Sequence, residues 1–238
     1  MDTHIKFMVD CSDLLLLPQP TLATAIIYHH KHSHYYSIHP TLSQMDSELL
    51  SATCLHLACK TTETPRKLRD IINVGYYIST KQSTGTPTAL VLGETYWQLK
   101  DTMQKSEIIL LRILSFNTMI HLPYQYIPAV IYSIRGHASQ PYLRRIAQSA
   151  FILVNDLVAS FGTWMKIESR CGEYTAVTVA LAAVYINLAS VESMPMLDLK
   201  QVCRGFIREA HMHWVKETMH DIQDLTDQLI KHSNILHS

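Results

Sequence analysis

The sequence predicts an all-α protein made of two tandem five-helix domains, residues 1–118 and 119–238. Only seven of the 238 residues are glycine. The long apolar segments place hydrophobic side chains three and four residues apart, which is the period of a helix with one buried face. Each half also contains one segment of small and apolar residues, SATCLHLA in the first and AVTVALAAVYINLA in the second. Such a segment is typical of a helix buried on every side, so each half is expected to wrap four helices around a central one.

Five helices are predicted in the first half, and capping residues and prolines set their limits. Asp46 or Ser47 can cap the helix that follows, because both side chains accept hydrogen bonds from the first backbone amides of a helix. Proline suits the first turn of a helix and disfavours the helical conformation in the residue before it. The next helix is therefore expected to begin at Pro65. Segment 79–92 mixes Ser, Thr, Gly and Pro without a helical period and is expected to be an exposed loop. The predicted helices cover 4–15, 20–36, 48–60, 65–78 and 93–116.

The same order of elements is predicted again after a break at 117–123. The third helix of this half is the small and apolar one, as in the first half. Residue-by-residue similarity between the halves is faint, so the repeat is inferred from the order of the elements. The predicted helices cover Tyr124–Ile134, Tyr142–Phe161, Tyr174–Ala189, Asp198–His213 and Trp214–His232.

The composition argues against several classes of protein. Hydrophobic residues make up 47% of the chain and charged residues 17%, which allows packed cores and is unlike a disordered chain. Twenty basic residues balance twenty acidic ones, so no net field favours nucleic acid or an anionic membrane as a partner. No apolar run approaches the roughly 20 residues of a membrane span, and the opening MDTHIK is unlike a signal peptide. We therefore expect a soluble protein of the nucleus or the cytoplasm.

No motif in the sequence supports catalysis or a cofactor. The glycine-rich phosphate loops, the HExxH zinc motif and the GxSxG nucleophile motif are all absent. The chain is therefore predicted to be no enzyme and to hold neither cofactor nor metal. The cysteines are odd in number and none stands in a CxxC spacing, which favours buried free thiols. They are Cys11, Cys54, Cys59, Cys171 and Cys203.

A histidine-rich segment at 29–34, with the sequence HHKHSH, invites the idea of a metal site. His30 and His34 lie one helical turn apart, a spacing that can bind a transition metal. No nearby carboxylate or cysteine completes a set of four ligands, and the histidines are spread around the helix. A polar, partly solvated helix end is the favoured interpretation.

Two charged residues stand out in the apolar helices of the first half. Lys60 ends the central helix, where a cation interacts favourably with the helix C-terminus. Glu107 precedes the apolar run IILL within the helix predicted at 93–116. From the residues alone, both charges fit either a solvated surface or a binding site.

The segment SATCLHLACKTTETP at 51–65, followed after a loop by EIILLRILSF at 107–116, resembles the cyclin box. In the cyclin family the third helix is an apolar run that ends in a lysine and precedes an acidic patch and a proline. The fifth helix of that family carries a glutamate before a leucine-rich stretch that closes on phenylalanine. The resemblance covers about residues 5–120, and beyond them only the order of the helices is similar.

Three further segments make the chain similar to a short member of the transcription-type cyclins: LRDIINV at 68–74, YWQLKD at 96–101 and HLPYQY at 121–126. The resemblance implies two cyclin boxes and a cyclin-dependent protein kinase as the partner, with no direct nucleic-acid or membrane partner. A cyclin supplies no chemistry, because moving the kinase's regulatory helix inward lets the kinase's own lysine–glutamate pair form. The implied function is a regulatory subunit that shifts the kinase towards its active conformation.

The resemblance also implies which residues contact the kinase. A lysine and a glutamate from neighbouring helices can hydrogen-bond to backbone groups of the partner, while apolar neighbours exclude water around them. A few such residues often dominate the affinity of an interface. The positions that match the family's contacts are Lys60, Thr61, Glu63, Glu107, Leu111 and Phe116.

Two positions depart from the family pattern. Thr61 stands where an apolar or aromatic residue is usual, and Thr62 where an acid is frequent, so Glu63 is the sole carboxylate of that patch. A weaker kinase contact is one expectation from these changes. The hydrophobic motif with which cell-cycle cyclins recruit substrates is not visible in the first-helix segment IKFMVD, so recruitment of that kind is not expected.

Two other functions stay open at this point. A helical scaffold that keeps the fold without activating a kinase would explain the residues at Thr61 and Thr62. A DNA-binding protein of the general-transcription-factor type would also have tandem five-helix domains. The balanced charge and the lack of a zinc-ribbon cysteine pattern argue against that second alternative.

Overall fold

The computed structural model describes residues 2–42, 45–137, 139–189 and 199–236, and within these ranges the chain is helical and has no strand. The all-α prediction is confirmed. Contacts divide the chain into two compact units, Met1–Ile120 and His121–Ser238. That the second unit is a second cyclin box stays a prediction.

The first unit is built around its third helix. Helix α3 packs against each of the other four helices of the unit, and every residue from Leu50 to Cys59 is buried. The prediction of a central helix buried on all sides is therefore confirmed. Asp46 caps it as predicted, because its carboxylate accepts a hydrogen bond from the Leu49 amide at 3.0 Å. The helices are α1 (Thr3–Leu14), α2 (Gln19–Ile38), α3 (Ser47–Thr61), α4 (Leu68–Thr84) and α5 (Glu94–Ile113).

Helix α4 begins at Leu68, so the prediction that it begins at Pro65 is wrong. The intervening segment is extended, and the Arg66 guanidinium reaches across to the link between α1 and α2. Its Nε donates to the Leu15 carbonyl and its Nη2 to the Leu16 carbonyl, both at 2.9 Å. These two bonds hold the segment out of the helix.

Helix α4 ends at Thr84, so the prediction of a loop over 79–92 is wrong for its first six residues. The hydroxyls of Thr80, Ser83 and Thr84 each donate to the carbonyl four residues earlier, which satisfies these polar side chains within the helix. Gly85 then ends the helix with a φ of +73°, a left-handed conformation that costs glycine little.

The second unit is also built around one helix. Helix α9 packs against α6, α7, α8, α10 and α11, which confirms the small and apolar segment as a central helix. Short 3-10 turns lie at Pro123–Gln125, Gly172–Tyr174 and Glu209–His211. The helices are α6 (Ile127–Ser133), α7 (Gln140–Ala159), α8 (Phe161–Cys171), α9 (Thr175–Ala189), α10 (Leu199–Cys203) and α11 (Met212–Leu236).

The second unit departs from the five predicted helices in two places. Helix α8 was not predicted; it follows α7 after an extended residue, Ser160, with a ψ of 102°. The helix predicted over 198–213 begins outside the described residues at Asp198. In the described part, α10 ends at Cys203 and Gly205 takes a φ of +88°, which interrupts a right-handed helix.

One helical stretch of the described residues, Phe161–Leu188, is long and apolar enough for a membrane span, contrary to the sequence-based expectation. In the structure 67% of its most apolar window is buried inside the protein, and the 3-10 turn at Gly172–Tyr174 divides it. The stretch is apolar because α9, which forms its second part, is the central helix of the second unit.

Candidate functional site

The two charged residues that the sequence singles out meet at the surface of the first unit. Lys60 lies in the last turn of α3 and Glu107 lies in α5, with Lys60 Nζ 2.6 Å from Glu107 Oε1. The lysine side chain is 50% exposed and the glutamate side chain 15% exposed. An ion pair this exposed contributes at most about 1 kcal/mol to folding. The pair is therefore a minor contributor to the stability of the fold.

A histidine lies beneath this ion pair. His56 is one helical turn before Lys60, its side chain is 8% exposed, and its Nδ1 lies 3.6 Å from Glu107 Oε2. Nδ1 has no hydrogen-bond partner in the structure. Burial lowers the pKa of His56, the Lys60 ammonium lowers it further, and the Glu107 carboxylate acts in the opposite direction. The ring is therefore neutral at pH 7. Sequence reasoning missed this residue, although a histidine inside an apolar segment was a signal.

Apolar residues follow Glu107 in the sequence, among them Ile108 and Leu111 on α5 and Phe116 after its end. Ile108 is 51% exposed and Phe116 is 68% exposed, while Leu111 is partly buried one turn after Glu107. Exposed apolar side chains around a hydrogen-bonding pair are typical of the centre of a protein interface. We call the following set the docking surface: Lys60, Glu63, Glu107, Ile108, Leu111 and Phe116.

Two residues of the docking surface have left-handed backbone. Glu63 follows α3 with a φ of +54°, and Phe116 follows α5 with a φ of +58°. This conformation costs an ordinary residue about 1–2 kcal/mol, and glycine adopts it freely. Backbone bonds fix both turns, from the Thr64 amide to the Cys59 carbonyl and from the Phe116 amide to the Leu111 carbonyl. Side chains kept at strained positions favour a functional role for them.

The Thr61 hydroxyl is bonded within the unit, while the residue is exposed and its contact with a kinase stays a prediction. Its hydroxyl lies 3.0 Å from the Tyr28 hydroxyl. Tyr28, which is fully buried, donates a 2.6 Å hydrogen bond to the Thr118 carbonyl. The end of α3 is therefore connected through α2 to the segment that follows α5, beside the docking surface.

Thr62 takes part in a cluster of three hydroxyl groups. Its oxygen lies 2.8 Å from that of Thr21 in the first turn of α2 and 3.0 Å from that of Thr64, and the Thr21 and Thr64 oxygens are 2.9 Å apart. Thr62 also donates to the Ala58 carbonyl at 2.8 Å. These bonds join the end of α3 to the start of α2.

The histidine-rich segment is buried, so the interpretation as a partly solvated helix end is wrong. His29, His30 and His32 are 6%, 2% and 3% exposed, because α1 and α3 cover this side of α2, whereas His34 is exposed. Burial lowers the pKa of His29 and of His32 to about 4. No group of three or more metal-binding side chains forms within the part of the chain that the structure describes. All five cysteines are buried free thiols, as predicted.

The first unit also contains an apolar pocket of about 130 Å³, lined from α1, α3, α4 and α5. Phe7 of the IKFMVD segment forms part of its wall, beside Ala52 and Gly75, and Asp46 and Glu48 contribute acidic groups. The large apolar side chains of that segment are core residues in this structure.

Comparison with known proteins relates the chain to one family. Residues 2–119 match the family model described as cyclin, N-terminal domain. Cyclin-T1-5 of Arabidopsis thaliana is 28% identical over 186 residues, which are 78% of this chain and 30% of that protein. Human Cyclin-L1 is 26% identical over 179 residues (75% and 31%) and human Cyclin-K is 26% identical over 230 residues (94% and 36%). The chain thus spans about a third of the length of these relatives.

Proposed function

Residues 2–119 form a cyclin N-terminal domain in a chain that is homologous to cyclins T, L and K, and from this premise we propose that the protein binds and activates a cyclin-dependent protein kinase. It would act as a non-catalytic regulatory subunit in the nucleus, in control of transcription or of the cell cycle. The finer proposal is a counterpart of cyclin Q with cyclin-dependent kinase 10 as its partner. The segments LRDIINV, YWQLKD and HLPYQY support that finer proposal.

The observation that carries the proposal is the Lys60–Glu107 pair among exposed apolar side chains. The Lys60 ammonium has three N–H donors, and Glu107 accepts from one of them at 2.6 Å. The carboxylate can also accept from a backbone amide of the kinase. Ile108 and Phe116 would exclude water from these bonds, which strengthens them.

Binding at this surface would activate the kinase if it is tighter to the active conformation. A kinase whose regulatory helix exchanges between two positions is shifted towards the one to which the cyclin binds more tightly. A hundredfold preference corresponds to about 2.7 kcal/mol. A few well-packed apolar side chains and charge-assisted hydrogen bonds can supply that difference.

The test is co-purification with the kinase, followed by a kinase assay. The double variant Lys60→Ala with Glu107→Ala is expected to keep its helical circular dichroism and to lose kinase binding at least tenfold. A matched control is Arg69→Ala with Asp70→Ala, because these residues form an exposed ion pair on α4, with Arg69 Nε 3.6 Å from Asp70 Oδ1. Neither residue belongs to the docking surface.

The two variants separate the possible results. Loss of binding in the first and normal binding in the control supports the docking surface. Normal binding in both overturns the roles of Lys60 and Glu107. Mass spectrometry of proteins bound to the unmodified chain tests the finer proposal, which fails if a different kinase is recovered.

A scaffold that binds without activating is a second candidate. The hydroxyls of Thr61 and Thr62 bond within the unit, which favours this candidate. Glu63 is then the carboxylate available to a kinase after α3. Kinase turnover with and without the purified chain separates the two functions. A scaffold would bind the kinase at the same stoichiometry and leave its turnover unchanged.

A further inference from the structure

His56 contacts the docking surface from inside the protein. Lys60 approaches the Oε1 atom of Glu107 from the solvent side, at 2.6 Å, while His56 Nδ1 faces the Oε2 atom at 3.6 Å from the buried side. The Glu107 carboxylate therefore lies between a lysine that a partner can reach and an imidazole that it cannot. The Lys60 hydrogen bond fixes one carboxylate oxygen, and the His56 ring in contact with the other limits the rotation of the group.

We propose that His56 is a positioning residue for Glu107 and that its protonation weakens binding of the kinase at the docking surface. The inference rests on the proposed function and adds a regulation by pH to it. The neutral ring, whose Nδ1 makes no hydrogen bond, packs against Oε2 and limits the movement of the carboxylate, which keeps it oriented for the partner's amide. A protonated ring attracts the carboxylate more strongly and draws it away from that amide.

The charged groups around His56 are few among the described residues. Glu107 faces it from α5, and Lys60 lies one turn later on α3 itself; α1, α2 and α4 bring no charge that acts on its pKa. Burial and Lys60 both disfavour the cation. A bound kinase would cover Lys60 and Glu107 and so remove further water from the site, which disfavours the cation again. By linkage, protonation of His56 must therefore lower the affinity for the kinase.

Two replacements separate positioning from packing. His56→Asn keeps an N–H donor near the Nδ1 position but cannot be protonated, and His56→Phe keeps the ring volume without a donor. At pH 7.5 we expect the asparagine variant to bind the kinase within about threefold of the unmodified chain. The phenylalanine variant should bind about tenfold more weakly, because the polar Nδ1 edge that faces the Glu107 carboxylate at 3.6 Å is replaced by an apolar one.

The pH profile and a double-mutant cycle give readouts that a purely structural role would not change. As the pH falls below 6.5, the affinity of the unmodified chain should fall relative to that of His56→Asn, because the pKa of His56 is lowered by burial and by Lys60. In a Glu107→Gln background, His56→Phe should cost no further affinity. The proposal is overturned if the affinity ratio is constant across this pH range, or if His56→Phe costs the same in both backgrounds.

A measurement on the free chain needs no kinase. The titration of the His56 ring, followed by NMR, should shift to lower pH in Glu107→Gln and to higher pH in Lys60→Met. An unchanged titration in Glu107→Gln would contradict the contact. If the unmodified chain binds no kinase at pH 7.5, the proposed function fails, while this NMR result still reports on the contact itself.

Discussion

At the scale of the residue, two residues of the docking surface, Glu63 and Phe116, have left-handed backbone. Replacing such residues can distinguish an effect on stability from an effect on kinase binding. Glu63 follows the C-cap of α3, a position where glycine is favoured, and after α5 both Ser115 and Phe116 are left-handed, with φ of +52° and +58°. Leu16 has the same conformation, with a φ of +51°, and it lies away from the docking surface in the link between α1 and α2. The chain therefore contains its own comparison between strained residues inside and outside the docking surface.

Replacing Glu63 by glycine should raise stability and lower affinity for the kinase. The strain of the left-handed conformation is relieved by about 1 kcal/mol, offset in part by the greater freedom of glycine in the unfolded chain. The carboxylate that would face the kinase is lost at the same time. Urea denaturation measures the first effect and a binding titration the second. Leu16→Gly is the control, with a similar gain in stability and unchanged affinity; an equal loss of affinity in both variants would contradict a role for Glu63.

Replacing Thr62 by valine should affect the fold and leave docking intact. The substitution removes one of three hydroxyls that lie within 3.0 Å of one another and leaves Thr21 and Thr64 without that partner. Thr21 and Thr64 keep the 2.9 Å bond to each other, so the expected loss of stability is about 1 kcal/mol, the net contribution of a hydrogen bond. Thermal unfolding measures it. A kinase affinity that falls more than about threefold, well below the melting temperature, would instead show that Thr62 contacts the partner.

At the scale of the element, α5 has a buried face and an exposed face on nearly opposite sides, roughly 160° apart at Leu110 and Ile108. Leu110 is fully buried against the core, whereas Ile108 is 51% exposed beside Glu107. Leu110→Ala should cost about 2–5 kcal/mol of stability, because it removes packed side-chain volume from the core. Ile108→Ala should change stability by less than about 0.5 kcal/mol and weaken kinase binding several-fold. Chemical denaturation and binding titrations of the two variants test this; the reverse pattern would place the partner contact elsewhere.

The limits of the elements show which signals in a sequence are decisive. The cap at Asp46 and the buried centre of α3 were predictable, because a capping side chain and an all-apolar helix are local features. The true end of α4 was marked by Gly85, but the Ser and Thr residues before it concealed the helix. Helix α8 was marked by Trp164, Ile167 and Cys171, all buried and spaced three and four residues apart. The start of α4 depends on Arg66 reaching a distant loop, which no local pattern contains.

At the scale of the whole molecule, the candidate site joins residues that are far apart in sequence. Lys60 and Glu107 are separated by 47 positions, and their composition and spacing alone did not bring them together. Resemblance to a family related them. Their contact with His56, the bonds of Thr61 and the exposure of Ile108 are visible only once helices have packed. The candidate site is therefore assembled by the packing of helices rather than by one linear segment.

Buried histidines predict how the stability of the whole protein depends on pH. The pKa of His29 and of His32 falls from 6.5 in the unfolded chain to about 4 in the folded protein, mainly because burial disfavours the cation. Between these values the unfolded chain binds more protons than the folded protein. Stability is therefore complete above about pH 6.5 and is lost progressively as the pH falls to about 4, by up to a few kcal/mol for each histidine.

Denaturation in urea at pH 7.5, 6.0 and 5.0 tests this dependence. His32→Phe should lose less stability on acidification than the unmodified chain, because a ring that cannot be protonated replaces one whose Nε2 has no hydrogen-bond partner. His34→Gln is the control, since His34 is exposed and its replacement should leave the slope unchanged. Equal slopes in the unmodified chain and in His32→Phe would show that His32 gains its proton as easily in the folded protein as in the unfolded chain.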